Sequence, residues 1–493
     1  MQIFPQKKLI IHDLFFEKPL MMLYIICHEK IFMRFIMSQR ETLSSRLGFI
    51  MLSVGCAVGL GNVWRFPYIT GQYGGGMFVL LYLVCLLLLG LPLLLAELSV
   101  GRGGGANLVG SVRNLASTRK NLWVLPFKTV FTGNFILMTY YTVVTGWLLA
   151  YTVRYLNQSI AQYKTPADFS ALFSQLTASP VESGLYMFLT VAVSTIVCSL
   201  GLQKGVEKCV KNLMFTLFVL LLILAGYALT LPGAKEGLTF YLKPDWTKFS
   251  QNIGQTIFAA MGQAFFTLSI GVGSIAIFGS YINKERSLPG EGVTIVSIDT
   301  IIALLAGVII FPCCFSFGVN PGSGPGLIFV SLPNAFAQMT GGRWWGALFF
   351  IFLSVAALTT VVAVFENLIA YLMDEWRFTR RKASWIVGIA VAFCSLPCVL
   401  GFNLWSKFHP LGKESTILDL EDFIVSQNLL PLGAVFLAIF CSVRCGWGWK
   451  NFIAEANTGK GLKFPGFLGW YFRYLLPLLV LTVMVVGYKQ LFS

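Results

Sequence analysis

Long apolar runs alternate with short polar segments along most of this chain. A helix needs about 20 apolar residues to cross a lipid bilayer, and eleven runs approach or exceed that length. The breaks between them carry the glycine, proline and charge typical of loops. The pattern predicts an all-α polytopic membrane protein with one transmembrane domain over residues 46–490. The predicted spans are 47–68, 77–99, 127–156, 184–200, 207–231, 251–281, 292–317, 345–373, 383–401, 423–443 and 468–488.

Composition excludes other classes of protein. Hydrophobic residues make up 56% of the chain and charged residues 12%, whereas soluble domains carry about 25% charge. An aromatic content of 15% argues against disorder. The 11 cysteines are scattered and only three histidines are present, so neither a disulfide framework nor a metal centre of these residues is expected. We therefore expect neither an enzyme nor an organic cofactor.

The net charge of +15 predicts an orientation in the membrane. The 36 lysines and arginines lie mostly between apolar runs, so loops on the cytoplasmic side explain them better than nucleic-acid binding does. The loop 376–382 is the clearest case. With the N-terminus in the cytoplasm, eleven spans place Ser493 outside.

The first 45 residues form a predicted cytoplasmic segment. Its apolar stretch 20–27 is too short to span a bilayer. Met37 begins a basic, polar lead into the first span, and we interpret it as the natural start. The alternative is an interfacial amphipathic helix over residues 1–36.

Two spans are interrupted by glycine. Residues 54–62 contain Gly55, Gly59 and Gly61, and residues 269–274 contain two more glycines. Each segment alone favours close helix packing. Together they lie five spans apart, at corresponding places in two five-span halves, which is the pattern of a transporter site built from broken helices.

Four charged residues lie within apolar runs. A charge inside the membrane costs at least about 2.5 kcal/mol on insertion scales. Local pairing would explain each one singly, but four of them near the interrupted spans favour a polar pathway. They are Arg65, Glu97, Asp299 and Glu366.

These motifs resemble the neurotransmitter:sodium symporters of bacteria. The segment Gly55-Cys-Ala-Val-Gly-Leu-Gly-Asn-Val-Trp-Arg-Phe-Pro67 is similar to their first helix, and Gln263-Ala-Phe-Phe-Thr-Leu-Ser269 to their sixth. Ala356-Ala-Leu-Thr-Thr360 is similar to the eighth. The resemblance implies a LeuT-type 5+5 inverted repeat with broken helices 1 and 6, plus an eleventh helix. It also implies Na⁺-driven uptake of a small amine, usually an amino acid, across the inner membrane.

The resemblance implies two sodium sites. The first would use the Ala57 carbonyl and the side chains of Asn62, Thr267 and Asp299. The second would use carbonyls of Gly55, Val58 and Ala356 with the hydroxyls of Thr359 and Thr360. Hydrogen bonding of each threonine to its own helix is the simpler alternative.

It also implies a substrate site. The carboxylate would meet the Leu60 and Gly61 amides and the Tyr141 hydroxyl, where a helix N-terminus favours an anion. Gly59 stands where monoamine-transporting relatives carry Asp, so a substrate with its own carboxylate is favoured. The amine would meet carbonyls of Ala57, Phe266 and Thr267 and the Ser269 hydroxyl. The side-chain pocket would consist of Leu137, Tyr141, Phe266, Val272, Thr360 and Val364, which favours a neutral, hydrophobic or aromatic amino acid.

Gates follow from the same resemblance. Arg65 and Asp422 would pair on the outer side through water, near Gln263. Arg40 and Asp374 would pair on the inner side beside Tyr281, although Leu43 replaces the tryptophan usual in the family. Tyr82 and Glu97 would support the site from behind.

Chloride dependence is not expected. Animal relatives bind Cl⁻ near two polar positions of the seventh helix, which are Asp299 and Ala303 here. Ala303 cannot hydrogen-bond an anion, whereas Asp299 supplies a fixed negative charge. Two Na⁺ beside a zwitterion need such a charge in a low dielectric.

Two alternative functions remain open at this point. A proton-coupled carrier on the same fold would need a cation or a protonatable group in place of sodium, and Asn62, Thr359 and Thr360 argue against it. A substrate-sensing receptor on the same scaffold is the other. The expected partners are the amino acid, sodium ions and the lipid bilayer, with no nucleic acid.

Overall fold

Helices form nearly all the regular structure. The computed structural model describes residues 42–251, 253–322, 326–412 and 415–492, without the side chains of residues 247, 248, 251 and 490–492. The predicted cytoplasmic segment up to residue 41, including Met37, therefore lies outside the described residues. No β-strand occurs within the described ranges, in agreement with the predicted all-α class.

The helical spans follow the predicted order. Among the described residues, nine continuous helices are long and apolar enough to cross a membrane, and a bent pair, α1, makes ten. The remaining predicted span, α6, consists of two shorter helices. The spans are α1 (Arg46–Ala57 and Gly61–Gln72), α2 (Gly76–Gly104), α3 (Lys120–Leu156), α4 (Pro180–Ser199), α5 (Leu202–Ala228), α6 (Ile253–Thr267 and Ala276–Gly279), α7 (Leu288–Ser316), α8 (Gly342–Trp376), α9 (Arg380–Leu400), α10 (Ile417–Ser442) and α11 (Gly466–Lys489).

Helices α3 and α8 lie at the centre of the bundle. In their most apolar stretches 78% and 83% of the residues are buried, against 28% in α11. The rings of Tyr151 and Tyr155 on α3 stack on Phe350 of α8, with centroids 5.0 and 5.4 Å apart. Gly346 permits this contact, because a Cβ there would lie 2.1 Å from the Tyr155 ring. The most buried helices are thus positioned to line an internal site.

The first span is broken where its glycines predict. Its two halves meet at an angle of 55°, and Val58 between them has extended backbone angles. A Cβ at Gly59 would lie 2.4 Å from the Tyr141 hydroxyl, so the break can approach α3 only without a side chain. Gly55 has the other predicted role, close packing, since its Cβ would lie 2.8 Å from Val210 of α5.

The sixth span is broken over residues 268–275. Gly271 and Gly273 have φ angles of 107° and 88°, and Ser269 one of 50°, so none of the three continues a right-handed helix. A Cβ on Gly271 would lie 2.2 Å from the Leu430 carbonyl oxygen of α10. Sequence and packing therefore both require glycine here.

Shorter helices connect the spans. Leu108–Leu115 joins α2 to α3, and its N-terminus is capped by the Asn107 side chain. Pro166–Ala178 lies between α3 and α4, with a capping box formed by Thr165 and Asp168. The others are Ala234–Leu242, Trp246–Gln251, Leu327–Gln338 and Trp449–Ala456.

Candidate functional site

The two helix breaks face α3, α7 and α8 in the interior of the bundle. At the first break, α1 ends at Ala57 and resumes at Gly61. The last carbonyls of one half and the first N–H groups of the other have no partners within their own helices. Free carbonyls suit a cation and free N–H groups suit an anion. Such a break offers both in one place.

Three carbonyl oxygens converge on the Thr360 hydroxyl. Thr360 Oγ1 lies 3.3 Å from the Gly55 oxygen and 3.2 Å from the Val58 oxygen. The Ala356 oxygen lies 3.5 Å from the same atom. The Thr359 hydroxyl donates to the Ala356 carbonyl at 2.7 Å. Thr359 therefore makes the hydrogen bond within its own helix that is the simpler alternative to sodium binding. All five residues predicted for the second sodium site thus meet around one buried point. Each of them would offer an oxygen atom as a ligand to a cation there.

The predicted first sodium site also gathers its side chains. Asn62 Nδ2 donates to Asp299 Oδ1 at 2.8 Å and to Thr267 Oγ1 at 2.9 Å, and Thr267 Oγ1 donates to Asp299 Oδ2 at 3.1 Å. These three side chains are fully buried. Tyr82, predicted to support the site, lies 3.5 Å from the Thr267 hydroxyl. Ala57, the fourth predicted ligand, ends the first half of α1.

The amide orientation of Asn62 has a chemical consequence. Its oxygen accepts from the Gly59 N–H at 3.4 Å, while its NH₂ group faces the carboxylate. A cation placed between Asn62 and Asp299 would need oxygen from both, which would require the Asn62 amide to turn. The two amide orientations are sterically alike, and the turn needs no backbone movement.

The predicted carboxylate position lies where α1 resumes. The Leu60 N–H donates to the Tyr141 hydroxyl at 3.0 Å. A Cβ on Gly61 would lie 2.8 Å from the Phe266 ring, so the ring closes directly over the helix start. A substrate carboxylate placed here would meet the Tyr141 hydroxyl and the end of the helix dipole together.

The predicted side-chain pocket is apolar and buried. Leu137 and Tyr141 of α3 are 8% and 6% exposed, and Val272 and Val364 are fully buried. Ser269, predicted to meet the amine, donates its backbone N–H to the Phe266 carbonyl at 3.2 Å. Tyr141 of α3 and Thr360 of α8 both lie against Gly59, and Phe266 of α6 lies against Gly61, so these three predicted pocket residues converge at the first break.

Arg65 closes this region on the expected outer side. Its guanidinium lies 4.3 Å from the centre of the Phe266 ring and 3.5 Å from Gln263 Oε1, while Gln263 Nε2 donates to the Gly61 carbonyl at 3.0 Å. Phe266, Arg65 and Asp422 all line a cavity of about 510 Å³. Within the described residues Arg65 and Asp422 make no direct ion pair, which leaves room for the predicted water bridge. Asp422 Oδ1 accepts from Tyr140 at 3.0 Å.

The predicted inner gate is only partly described. Arg40 lies outside the described residues. The Asp374 carboxylate accepts from the backbone and side-chain nitrogens of Asn107 at 2.7 and 3.0 Å. The Tyr281 hydroxyl donates to Glu366 at 2.7 Å.

Glu366 is an intramembrane charge with a structural partner. Arg380, at the start of α9, reaches it at 2.6 and 3.0 Å. Burying a carboxylate without a cation would be costly, and this pair avoids that cost. For Glu366 the local-pairing interpretation therefore applies.

Two side chains hold the broken segment of α6 in place. Glu97 accepts from the N–H groups of Gly271 and Ile275, each at 2.9 Å. Asn134 of α3 donates to the Val272 carbonyl and accepts from the Ser274 hydroxyl, each at 2.6 Å. Sequence reasoning placed Glu97 behind the site but missed Asn134. The sequence feature that indicates Asn134 is a single amide side chain on the apolar face of α3, one helical turn before Leu137.

Replacing Asn134 by Ala will raise the substrate concentration for half-maximal transport by about tenfold. Two buried hydrogen bonds to the segment that carries Val272 are lost, each contributing about 0.5–1.5 kcal/mol. The maximal rate will change less than the apparent affinity. Ser274→Ala, which removes only one of the two bonds, will have the smaller effect. Concentration series of uptake in proteoliposomes measure both, and an unchanged apparent affinity in Asn134→Ala would contradict the role given to Asn134.

The chain matches the model of the sodium:neurotransmitter symporter family over residues 40–171 and 178–493. It is 34% identical over 442 residues to YhdH of Bacillus subtilis, an uncharacterized sodium-dependent transporter, covering 89% of this chain and 96% of that protein. An uncharacterized sodium-dependent transporter of Haemophilus influenzae is 35% identical over 467 residues, covering 92% and 99%.

A solved structure gives the same picture. The crystal structure of MhsT in complex with L-phenylalanine is similar to this chain with a TM-score of 0.80 and 36% identity. The likeness covers 90% of this chain and 99% of MhsT. The LeuT-type fold implied by the sequence resemblance is thereby confirmed.

Proposed function

Because this chain belongs to the sodium:neurotransmitter symporter family, whose members are sodium-dependent membrane transporters and not enzymes, we propose that it imports a neutral, hydrophobic or aromatic amino acid. Import would be driven by two sodium ions. The observation that carries the coupling to sodium is the convergence of the Gly55, Val58 and Ala356 carbonyls on the Thr360 hydroxyl. Uncharged oxygens in a buried cluster suit a hard monovalent cation and offer no group that a proton would need.

The expected substrate class follows from charge and shape. Gly59 contributes no carboxylate and has no room for one, since its Cβ would lie 2.7 Å from the Thr360 hydroxyl. The substrate must therefore bring its own anion to the start of the second half of α1. Leu137, Val272 and Val364 of the predicted pocket have aliphatic side chains and would offer no polar group to the substrate side chain. That MhsT was crystallised with L-phenylalanine supports the same class of substrate.

We expect transport to proceed by alternating access. The large cavity is lined by Phe266 and Arg65 together with Leu60 and Tyr141 of the predicted substrate site, and we expect the Phe266 ring with Arg65 over it to form the outer lid. The broken segments of α1 and α6 would both contact the bound substrate, so binding of substrate and sodium would draw the two helices together. The first half of α1 then has to move away from α5 and α8 to release sodium to the cytoplasm.

The charge distribution supports a single transmembrane domain over residues 46–490 in a bacterial inner membrane. The basic loop between α8 and α9 would face the cytoplasm with the N-terminus. The end of α11 would then face outward.

Radiolabelled uptake into proteoliposomes tests the proposal. Competition by each of the twenty common amino acids identifies the substrate, and replacing Na⁺ by K⁺ should abolish accumulation. Accumulation driven by a proton gradient without Na⁺ would support the proton-coupled carrier instead. Saturable binding without accumulation under any gradient would support a receptor.

Replacing Asp422 by Asn will lower the transport rate several-fold. Asn keeps an oxygen for the Tyr140 and Ser426 hydroxyls but removes the charge that faces Arg65 across the cavity. Asp419→Asn is the matched control, because Asp419 lines the same cavity and instead caps its own helix through Thr416. Initial rates of uptake compare the two variants. Equal rates and affinities in wild type and Asp422→Asn would refute the paired outer gate.

A further inference from the structure

A groove of about 420 Å³ lies between the first half of α1 and the beginning of α5. None of the residues that line it belongs to the predicted substrate, sodium or gate sites. Its apolar walls are Leu47 and Met51 of α1 with Phe215 of α5, and Lys211 lies in the same groove. We propose that this groove binds one anionic phospholipid of the cytoplasmic leaflet, with an acyl chain along the apolar walls and the phosphate at Lys211.

The apolar walls are open to the bilayer. Phe215 is 71% exposed and Leu47 is 47% exposed. Both belong to spans, so lipid rather than water covers them. A recess between two helices gives an acyl chain contacts on both sides, which a flat helix surface does not. The same two helices approach closely at Gly55 and Val210.

Three lysines supply the charge complementarity. Lys204, Lys208 and Lys211 are spaced by four and three residues, so they lie along one face of α5. All three are exposed. Among the described residues no carboxylate makes an ion pair with any of them. Their positions in the first turns of α5 correspond to headgroup depth on the side that the charge distribution assigns to the cytoplasm.

The neighbouring carboxylate does not neutralise this face. Glu207 is buried and turned toward α1, where it accepts from the Ser44 backbone N–H at 2.8 Å and from the Ser44 hydroxyl at 2.5 Å. The lysine face therefore keeps its full charge. Because each lysine near an anionic membrane surface strengthens binding by about 1 kcal/mol, or about fivefold, three of them suffice to select an anionic lipid over a zwitterionic one.

Mass spectrometry of the intact purified chain tests the proposal with two probes, dioleoylphosphatidylglycerol and dioleoylphosphatidylcholine. One phosphatidylglycerol should remain bound at concentrations at which phosphatidylcholine does not. The triple variant Lys204→Gln, Lys208→Gln, Lys211→Gln should need at least about tenfold more phosphatidylglycerol for the same occupancy. The matched control changes three exposed lysines of the same expected side, Lys120→Gln, Lys128→Gln and Lys450→Gln, and should bind like wild type.

A second variant separates the groove from surface charge. Thr216 lies in the groove, and its hydroxyl donates to the Asn212 carbonyl of its own helix. Thr216→Trp fills the groove and leaves every lysine in place, so it should also lose the retained phosphatidylglycerol. Equal retention of the two lipids by wild type, equal losses in the two lysine variants, or full retention in Thr216→Trp would each overturn the proposal.

Discussion

Replacing Asp299 by Asn will lower transport by about a hundredfold or more. Asp299 is fully buried against Asn62 and Thr267, and it is the negative charge nearest to the predicted first sodium. Two sodium ions beside a zwitterionic amino acid leave an excess of positive charge in a low dielectric. Removing one partner of such a buried charge pair costs about 3–5 kcal/mol. Asparagine has the same shape, so the loss reports the charge together with one of the two hydrogen bonds that the carboxylate accepts from Asn62 and Thr267.

Chloride provides the control for this prediction. Wild-type uptake should be the same when gluconate replaces Cl⁻ at constant Na⁺, because the fixed carboxylate balances the charge. Ala303 is fully buried one helical turn after Asp299. In the double variant Asp299→Asn, Ala303→Ser, a hydroxyl on the same face should restore part of the uptake only when Cl⁻ is present. Loss of wild-type uptake when gluconate replaces Cl⁻ would refute the proposal that the Asp299 carboxylate takes the place of a bound chloride ion.

Replacing Thr360 by Val will raise the Na⁺ concentration needed for half-maximal uptake at least about tenfold. Valine keeps the volume of threonine and removes the oxygen on which three carbonyls converge. A lost hydrogen-bonding partner of a charged group costs about 1.5–3 kcal/mol. Thr359→Val should have an effect in the same direction, since the Thr359 hydroxyl is the other side-chain oxygen of the cluster.

Thr190→Val is the matched control for both threonines. Thr190 is fully buried in α4, and its hydroxyl donates to the Tyr186 carbonyl of its own helix at 3.0 Å. Its replacement should leave the Na⁺ dependence of uptake unchanged. A Thr360→Val protein with wild-type Na⁺ dependence would remove the basis for the second sodium site.

The spans and the two breaks were predictable because each has a strong local signal. Apolar length determines a span, and clustered glycines such as Gly271 and Gly273 mark backbone that no other residue adopts easily. Within the described residues, ten of the eleven predicted spans are helices, one of them bent, that are long and apolar enough to cross a membrane. The two helical parts of α6, Ile253–Thr267 and Ala276–Gly279, together are shorter than the predicted run 251–281, because that run also includes the unwound residues 268–275.

The contacts between spans were predictable only through the family resemblance. Periodicity within α3 gives no reason for Asn134 to meet Val272, which is 138 positions later in the chain. The same holds for Tyr281, whose hydroxyl meets Glu366 of α8, 85 positions later in the chain. Polar residues that select one partner among several depend on the relative rotation of helices, and a hydrophobic pattern fixes that rotation only to within a wide apolar face.

The double support of the α6 break bears on how the protein discriminates between ligands. Glu97 and Asn134 engage residues 271–276 from two different helices, so this unwound stretch is held as firmly as a regular helix. Its amides should therefore exchange with deuterated solvent slowly despite the absence of helical hydrogen bonds. A preorganised backbone loses little entropy when a ligand arrives, so affinity is not reduced by ordering the segment. The backbone of this segment would not shift to accommodate an amino acid whose side chain fits poorly. The rigidity of the segment would therefore contribute to the selectivity for substrate.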